Sequence, residues 1–349
     1  SIKIVTFNEG FQGVTLAPGK EIYTDPVAFD VKAGKDIALS VFVDEFTEVR
    51  TMALSGADTY LTIGEDGTSK ETFGLLPNFV DSPDFVKIVS ALLGTEIDPN
   101  LGYSFIKVVP MVVNMDVLNE TGYSVVVIGD STVANEFPLY LSQQINDEGV
   151  TNVGIVGKGI FGNKLLTDGL GVGGKLYGTS MLDRLDVDAL QASGVKYVVV
   201  KIGCNDIVHP VCTDMLSEQP TAQDIINGYK QVFDECHKAG IKVVVVGITQ
   251  WKGNTRNYFG TGDKYIRTDE EFESDWQIAL DVNEWLAKTD LHDGYVSFND
   301  ISCNPLDPAA LYPEYTIDGV HPSDTLQRIW AESFPLSLIG IGKAVNKIT

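Results

Sequence analysis

The chain has 349 residues, 44% of them hydrophobic, enough for two domains or one large one with a sizeable core. Its 25 basic side chains face 48 acidic ones, a formal net charge of −23. That balance argues against nucleic acid or an anionic membrane surface as a partner, since both need a basic face, and no stretch approaches the roughly 20 apolar residues of a membrane span.

Taken in order, the chain opens on Ser1-Ile-Lys-Ile-Val, which lacks the basic flank and long apolar core of a signal peptide and has no initiator Met. The expectation is that an upstream segment has been removed, and the compartment stays open. Strand-like segments follow at Ile2–Phe7, Gly13–Leu16, Glu21–Tyr23, Ile37–Val43 and Ser104–Val113, separated by Gly, Pro and Asp turns. Helical spacing is weak here and confined to Asp84–Leu93. This pattern predicts an antiparallel β-sandwich over residues 1–121, with a boundary near Glu120–Gly122.

From residue 122 to 349 the pattern changes. Apolar strands are predicted at Ser124–Ile128, Val153–Val156, Tyr197–Ile202, Val243–Ile248 and Tyr295–Phe298. Helices are predicted between and after them, at Thr132–Asp147 (despite Pro138), Asp183–Ala192, Ala222–Ala239, Glu270–Ala287 and Thr325–Ile339. Alternation of this kind is the signature of a parallel sheet with helices on both faces.

Val125 to Ile128 form an uninterrupted β-branched run, as expected of a strand covered on both faces, and the run stops at Gly129-Asp-Ser131. Three further stretches lie after strands: Gly159-Ile-Phe-Gly162-Asn163, Gly203-Cys-Asn205-Asp206 and Asp318-Gly-Val-His321-Pro322. In a parallel sheet all strand C-termini share one edge, so the four loops can meet in one crevice. Together they hold what acyl transfer requires. Ser131 is the candidate nucleophile, His321 the base that takes its proton, and Asp318 the carboxylate that orients the imidazole. The Ser131 amide, the Gly162 amide and the Asn205 side chain are the candidate oxyanion donors. Each fragment also has a plainer reading: Asp130 or Ser131 capping a helix, Asn205-Asp206 making a turn, Asp318 to His321 making another. The chain order and loop placement favour the chemical reading.

These blocks resemble those of the SGNH, or GDSL-type, hydrolases, through Ser131, Gly162, Asn205, and Asp318 with His321. Gly159–Leu166 and Asp183–Asp206 are similar to bacterial secreted-type members, and Pro18-Gly to Asp25-Pro-Val and Ile37-Ala-Leu-Ser-Val resemble the β-sandwich that precedes their catalytic domain. The resemblance implies a flavodoxin-like three-layer α/β/α catalytic domain behind a jelly-roll-like sandwich. It implies a serine esterase with no metal or organic cofactor. Gly129-Asp-Ser-Thr-Val resembles the first block of pectin-type acetylesterases more than the Gly-Asp-Ser-Ile/Leu common elsewhere, which tilts the expectation toward acetylated carbohydrate. Two departures stand out: Ser1 starts too late for the whole sandwich, and Cys204 stands where Thr, Glu or Ile is commoner. No Gly-x-Ser-x-Gly elbow is present, which disfavours the other large esterase fold.

Further candidates for substrate binding are Asp130, His209 and Trp251, the last with Tyr258 and Phe259 as a stacking platform for sugar rings. The plain alternatives are a loop histidine and a packing tryptophan. His237 and His292 read as surface residues, and Trp276 and Trp285 as core or groove residues. Thr167–Gly174 is glycine-rich but follows no strand directly, so it reads as a mobile loop and not a dinucleotide site. The four cysteines contain no CxxC, which argues against zinc, and a dense disulfide framework is not implied. The expected partner is a small-molecule or polysaccharide ester. The alternatives are a lipid, aryl-ester or thioester hydrolase of the same fold, or a non-catalytic carbohydrate-binding protein. The oligomeric state is left open.

Overall fold

A computed structural model of the chain describes residues 3–17, 20, 22–32, 37, 39, 52–54, 108–110, 115–134, 136–169, 177–212, 218–253 and 268–342. The chain divides into two compact units, Ser1–Leu39 and Ser40–Thr349.

In the first unit one carboxylate organises the backbone. Asp25 accepts from the Thr6 hydroxyl at 2.7 Å and from the Glu9 and Gly10 amides at 3.0 and 2.9 Å. These bonds, that of Glu9 foremost, hold the Asp25 carboxyl below its ordinary pKa. They close a turn over which Phe7 and Phe11 form an isolated antiparallel bridge. The described residues of the predicted strands Ile2–Phe7, Gly13–Leu16 and Glu21–Tyr23 form no ladder beyond that bridge. The helical signal at Asp84–Leu93 and nearly all of the other predicted sandwich strands lie outside the described residues. Within Ser104–Val113, the described residues Val108–Pro110 (β2) pair antiparallel with Met52–Leu54 (β1).

The second unit holds five parallel strands: β3 (Tyr123–Gly129), β4 (Val153–Gly159), β5 (Val195–Lys201), β6 (Lys242–Val246) and β7 (Gly294–Val296). Their order across the sheet is β4-β3-β5-β6-β7, so the direction of winding reverses at β3 and β5. Val126, Ile128, Val198, Val200, Val243 and Val245 face a layer that includes Tyr229, Val232, Phe233, Val282 and Leu286. Val125, Val127, Val199, Val244 and Val246 face Phe137, Leu141, Leu326, Trp330 and Phe334. Both sides of β3, β5 and β6 are therefore covered, which is why the sequence shows apolar runs without alternation there. Each such side chain contributes on the order of 1.5–3 kcal/mol by leaving water.

The helices depart from expectation where their breakers act. Thr132–Asp147 is two helices, α1 (Ser131–Ala134) and α2 (Phe137–Asp147), because Pro138 belongs to the first turn of the second. The Gln327 side-chain oxygen accepts the Glu136 and Phe137 amides and so caps α2. Asp183–Ala192 is α3 (Met181–Leu185) continued by a π-turn at Asp186–Leu190. The helix α4 (Cys204–Cys212) lies where a turn was expected. α5 (Ala222–Lys238) and α6 (Asp269–Lys288) both start in capping boxes, Thr221 with Asp224 and Thr268 with Glu271. After β7 come α7 (Asn299–Ser302) and a hairpin of β8 (Cys303–Asn304) and β9 (Asp307–Leu311), neither foreseen. Thr325–Ile339 splits at Pro335 into α8 (Asp324–Ser333) and a 3₁₀ turn, Leu336–Ile339. Among the described residues no helix is long and apolar enough to cross a membrane.

Candidate active site

The turn after β3 is built by backbone proximity. A Cβ on Gly129 would lie 2.0 Å from the Lys201 carbonyl oxygen of β5, so only glycine fits where the strands converge. Asp130 then caps α1. Its Oδ1 accepts the Thr132 amide at 2.9 Å and the Thr132 hydroxyl at 2.6 Å. Its carbonyl accepts from Val133 and Ala134. Ser131, the first helical residue, is left with an amide that has no protein acceptor among the described residues.

The loop Thr316–Pro322 brings the histidine to it. The Thr316 hydroxyl accepts the Gly319 amide at 2.8 Å and donates to the His321 carbonyl at 2.9 Å. Asp318 Oδ1 accepts the Val320 and His321 amides at 3.1 and 2.8 Å, leaving Oδ2 for His321 Nδ1 at 2.7 Å. The other ring nitrogen, Nε2, lies 2.8 Å from Ser131 Oγ. A carboxylate at Nδ1 fixes the tautomer with Nε2 unprotonated, so the Ser131 hydroxyl donates to it. Ser131 and His321 are each only 5% exposed, and the ring of Phe161 stacks on the imidazole with centroids 6.3 Å apart. Exclusion of water strengthens every one of these electrostatic contacts.

Gly162 and Asn205 close the site from β4 and β5. Gly162 has φ +69°, and a Cβ there would lie 2.2 Å from the Tyr177 ring, so glycine is required for conformation and for space. Its amide has no protein acceptor among the described residues. Asn205 is 6% exposed and donates one side-chain hydrogen to the Asn163 carbonyl at 3.0 Å, and the second has no protein acceptor among the described residues. Asp206 secures this junction by accepting the Leu165 and Leu166 amides at 2.8 and 3.0 Å. Burial pushes its carboxyl up to about 6, against the two amide bonds that lower it.

Four supporting residues were given no role of their own in the sequence reading: Asn163, Arg184, Lys201 and Asp206. Asn163 is fully buried, donating to the Tyr177 and Thr179 carbonyls at 2.9 and 2.8 Å and accepting from Arg184 Nε at 3.0 Å. Arg184 also binds the Gly129 and Lys158 carbonyls, each at 2.9 Å, and so ties β3 to β4 just below the loops. A charged residue inside an apolar run is the signal that could have found Lys201, which interrupts Val198–Ile202.

The three candidate substrate contacts are placed differently from expectation. Asp130 is 1% exposed and acts as the cap just described, so it lies under the site. Trp251 is 4% exposed and packs edge-on against Trp276 at 4.9 Å, a core role. Tyr258 and Phe259, its supposed partners, lie outside the described residues. His209 is fully buried in α4 against Tyr177, with centroids 5.2 Å apart. Burial foremost, then Lys164 and His321, push its pKa down to about 3, so it stays neutral behind the wall of the site. His237 is a surface residue with Nε2 2.9 Å from Asp293, while His292 reaches the Leu286 carbonyl at 2.8 Å. The expected loop Thr167–Gly174 lies partly outside the described residues.

A serine, a histidine and an aspartate in hydrogen-bonded series, at the switch point of a parallel sheet, define a hydrolase of the three-layer α/β class. The GDSL-like lipase/acylhydrolase family matches residues 127–329, more than half of the chain, and the chain belongs to that family. It is a carboxylic ester hydrolase. Among solved structures it is similar to an acetylxylan esterase from Geobacillus stearothermophilus, at 18% identity and TM-score 0.44, covering 64% of this chain and 98% of that one. It is similar also to an acetyl xylan esterase at 18% identity and TM-score 0.44, covering 60% and 96%. A GDSL-like lipase from Bacteroides thetaiotaomicron VPI-5482 follows at 16% identity and TM-score 0.41, covering 62% and 85%. A comparison with curated proteins finds no match.

Proposed function

We propose that the chain is a serine esterase that removes short acyl groups, acetyl foremost, from carbohydrate. The observation that carries the reading is the contact between His321 Nε2 and Ser131 Oγ at 2.8 Å, continued to Asp318 at 2.7 Å. Ser131 Oγ attacks the ester carbonyl as His321 takes its proton, and Asp318 stabilises the imidazolium that forms. The Ser131 and Gly162 amides and the free Asn205 hydrogen receive the oxyanion. His321 then gives its proton to the departing ester oxygen, which leaves as the sugar hydroxyl. Water, deprotonated by the same imidazole, releases the acid from Ser131.

A small acyl group is supported by the sequence Gly129-Asp-Ser-Thr-Val, which resembles the first block of pectin-type acetylesterases. The catalytic domain is proposed to begin at residue 122, just ahead of β3, behind an accessory β-sandwich over residues 1–121. Release of acetate from acetylated xylan, mannan and pectin, set beside p-nitrophenyl esters of rising chain length, tests the substrate. Acetate release with activity falling beyond butyrate is expected. Peak activity on octanoate or longer chains, without acetate release from any glycan, overturns the carbohydrate reading. Failure of a fluorophosphonate to label Ser131 overturns the esterase mechanism itself.

A further inference from the structure

The last residue of β5 is a lysine withdrawn from water. Lys201 is 2% exposed. Its Nζ donates to the Thr132 hydroxyl at 2.9 Å and to the Thr249 hydroxyl at 3.1 Å, and it lies 5.2 Å from the centroid of the Trp330 ring. Burial lowers its pKa, opposed by Asp130 and Cys204. An ammonium held by two neutral hydroxyls and an aromatic face is costly to bury, and an apolar side chain of the same volume would avoid that cost.

The hydrogen bonds around it run in one direction. A hydroxyl has a single hydrogen to give. With Lys201 donating to Thr132 Oγ1, the Thr132 hydrogen goes to Asp130 Oδ1 at 2.6 Å. Asp130 Oδ1 also takes the Thr132 amide at 2.9 Å. Ser131 lies between these two residues, so the series Lys201–Thr132–Asp130 brackets the proposed nucleophile. Thr249, after β6, anchors the ammonium from the other side.

We infer that Lys201 is a positioning residue: by holding Thr132 it fixes the turn that aims Ser131 Oγ at His321. The inference rests on the esterase reading. It assigns Lys201 no contact with substrate, so its loss should slow turnover and leave substrate binding alone.

The test is steady-state hydrolysis of p-nitrophenyl acetate by the full chain and its variants, with melting temperatures alongside. Ser131→Ala comes first; if it keeps wild-type turnover, the esterase reading fails and the inference with it. With Ser131→Ala inactive, Lys201→Met is expected to lower kcat about 10- to 100-fold at a KM within about twofold of wild type, with Tm unchanged or raised. Thr132→Val should give a similar loss, Thr132→Ser should keep kcat within about threefold, and the Lys201→Met/Thr132→Val double variant should be no worse than the poorer single. Wild-type kcat in Lys201→Met, or losses that multiply in the double variant, would overturn the inference and leave the esterase reading intact. If Lys201→Met does not fold, the Thr132 pair decides alone: equal kcat for valine and serine at that position sinks it.

Discussion

Ser131 Oγ and His321 Nε2 lie 2.8 Å apart although 190 residues separate them in the chain. The turn after β3 holds one and the Thr316–Pro322 loop the other, each fixed by its own backbone hydrogen bonds. Ser131→Ala should therefore remove the chemistry without disturbing either loop. Turnover should fall about 10⁴-fold or more. Thermal unfolding of the variant should match wild type within about 2 °C, consistent with deletion of one hydroxyl from a small side chain. Asp318→Asn should fall about 10³- to 10⁴-fold, because an amide at Oδ2 no longer selects the tautomer that leaves Nε2 free.

Asn205 makes a narrower prediction. One of its two side-chain hydrogens is spent on the Asn163 carbonyl, and the other is the candidate oxyanion donor. An oxyanion contact strengthens as charge develops on the carbonyl oxygen, so its loss belongs to kcat. Asn205→Ala should lower kcat about 10²- to 10³-fold with little change in KM. A rise in KM at constant kcat would move Asn205 from the transition state to ground-state binding.

The central strands β3, β5 and β6 were legible in the sequence because both faces of each are buried, and an apolar β-branched run has few other readings. Each of the four signature blocks likewise follows a strand or precedes a helix, so the topology alone sends them to one edge. The helix breaks between Ala134 and Phe137 and at Pro335 were less legible, since a proline in a first turn and a proline ending a helix look alike in a periodic pattern. For Asp130, His209 and Trp251, position after a strand says nothing about the direction of the side chain. Asp130 turns back to cap α1, and the rings of His209 and Trp251 pack on Tyr177 and Trp276. Arg184 escaped notice because its partners at Gly129 and Lys158 are backbone carbonyls, which leave no mark in a sequence.

Gly162 tests whether its block supplies more than an amide. Alanine there would have to adopt φ +69° and would press its methyl into the Tyr177 ring. Gly162→Ala should cost about 1–3 kcal/mol of stability and reduce kcat as the amide is displaced. Tyr177→Ala in the same chain should relieve the contact and leave the backbone strain, so stability should return in part only. Full recovery in the double variant would mean that space alone required the glycine.

Two buried groups behind the site should pull stability in opposite directions as pH falls. Asp206 holds its proton up to about pH 6 when folded, against 3.8 in the ordinary case. The native state therefore binds the extra proton between those values, and stability is gained as pH falls through 6, on the order of 3 kcal/mol over the window. His209 refuses its proton down to about pH 3 when folded, against an ordinary 6.5. There the unfolded chain binds the extra proton, and stability is lost as pH falls below 6.5. In wild type the two oppose each other between about pH 4 and 6. Asp206→Asn removes the gain and keeps the loss. Its Tm should start lower at pH 7, since one of the two amide bonds from Leu165 and Leu166 goes unmade, and should then fall more steeply toward pH 4 than that of wild type. Exposed carboxylates such as Asp224 and Glu284 titrate alike in both proteins and cancel in the comparison. Parallel Tm profiles from pH 7 to 4 would mean that Asp206 is ionised throughout that range, its two backbone bonds outweighing the cost of its burial.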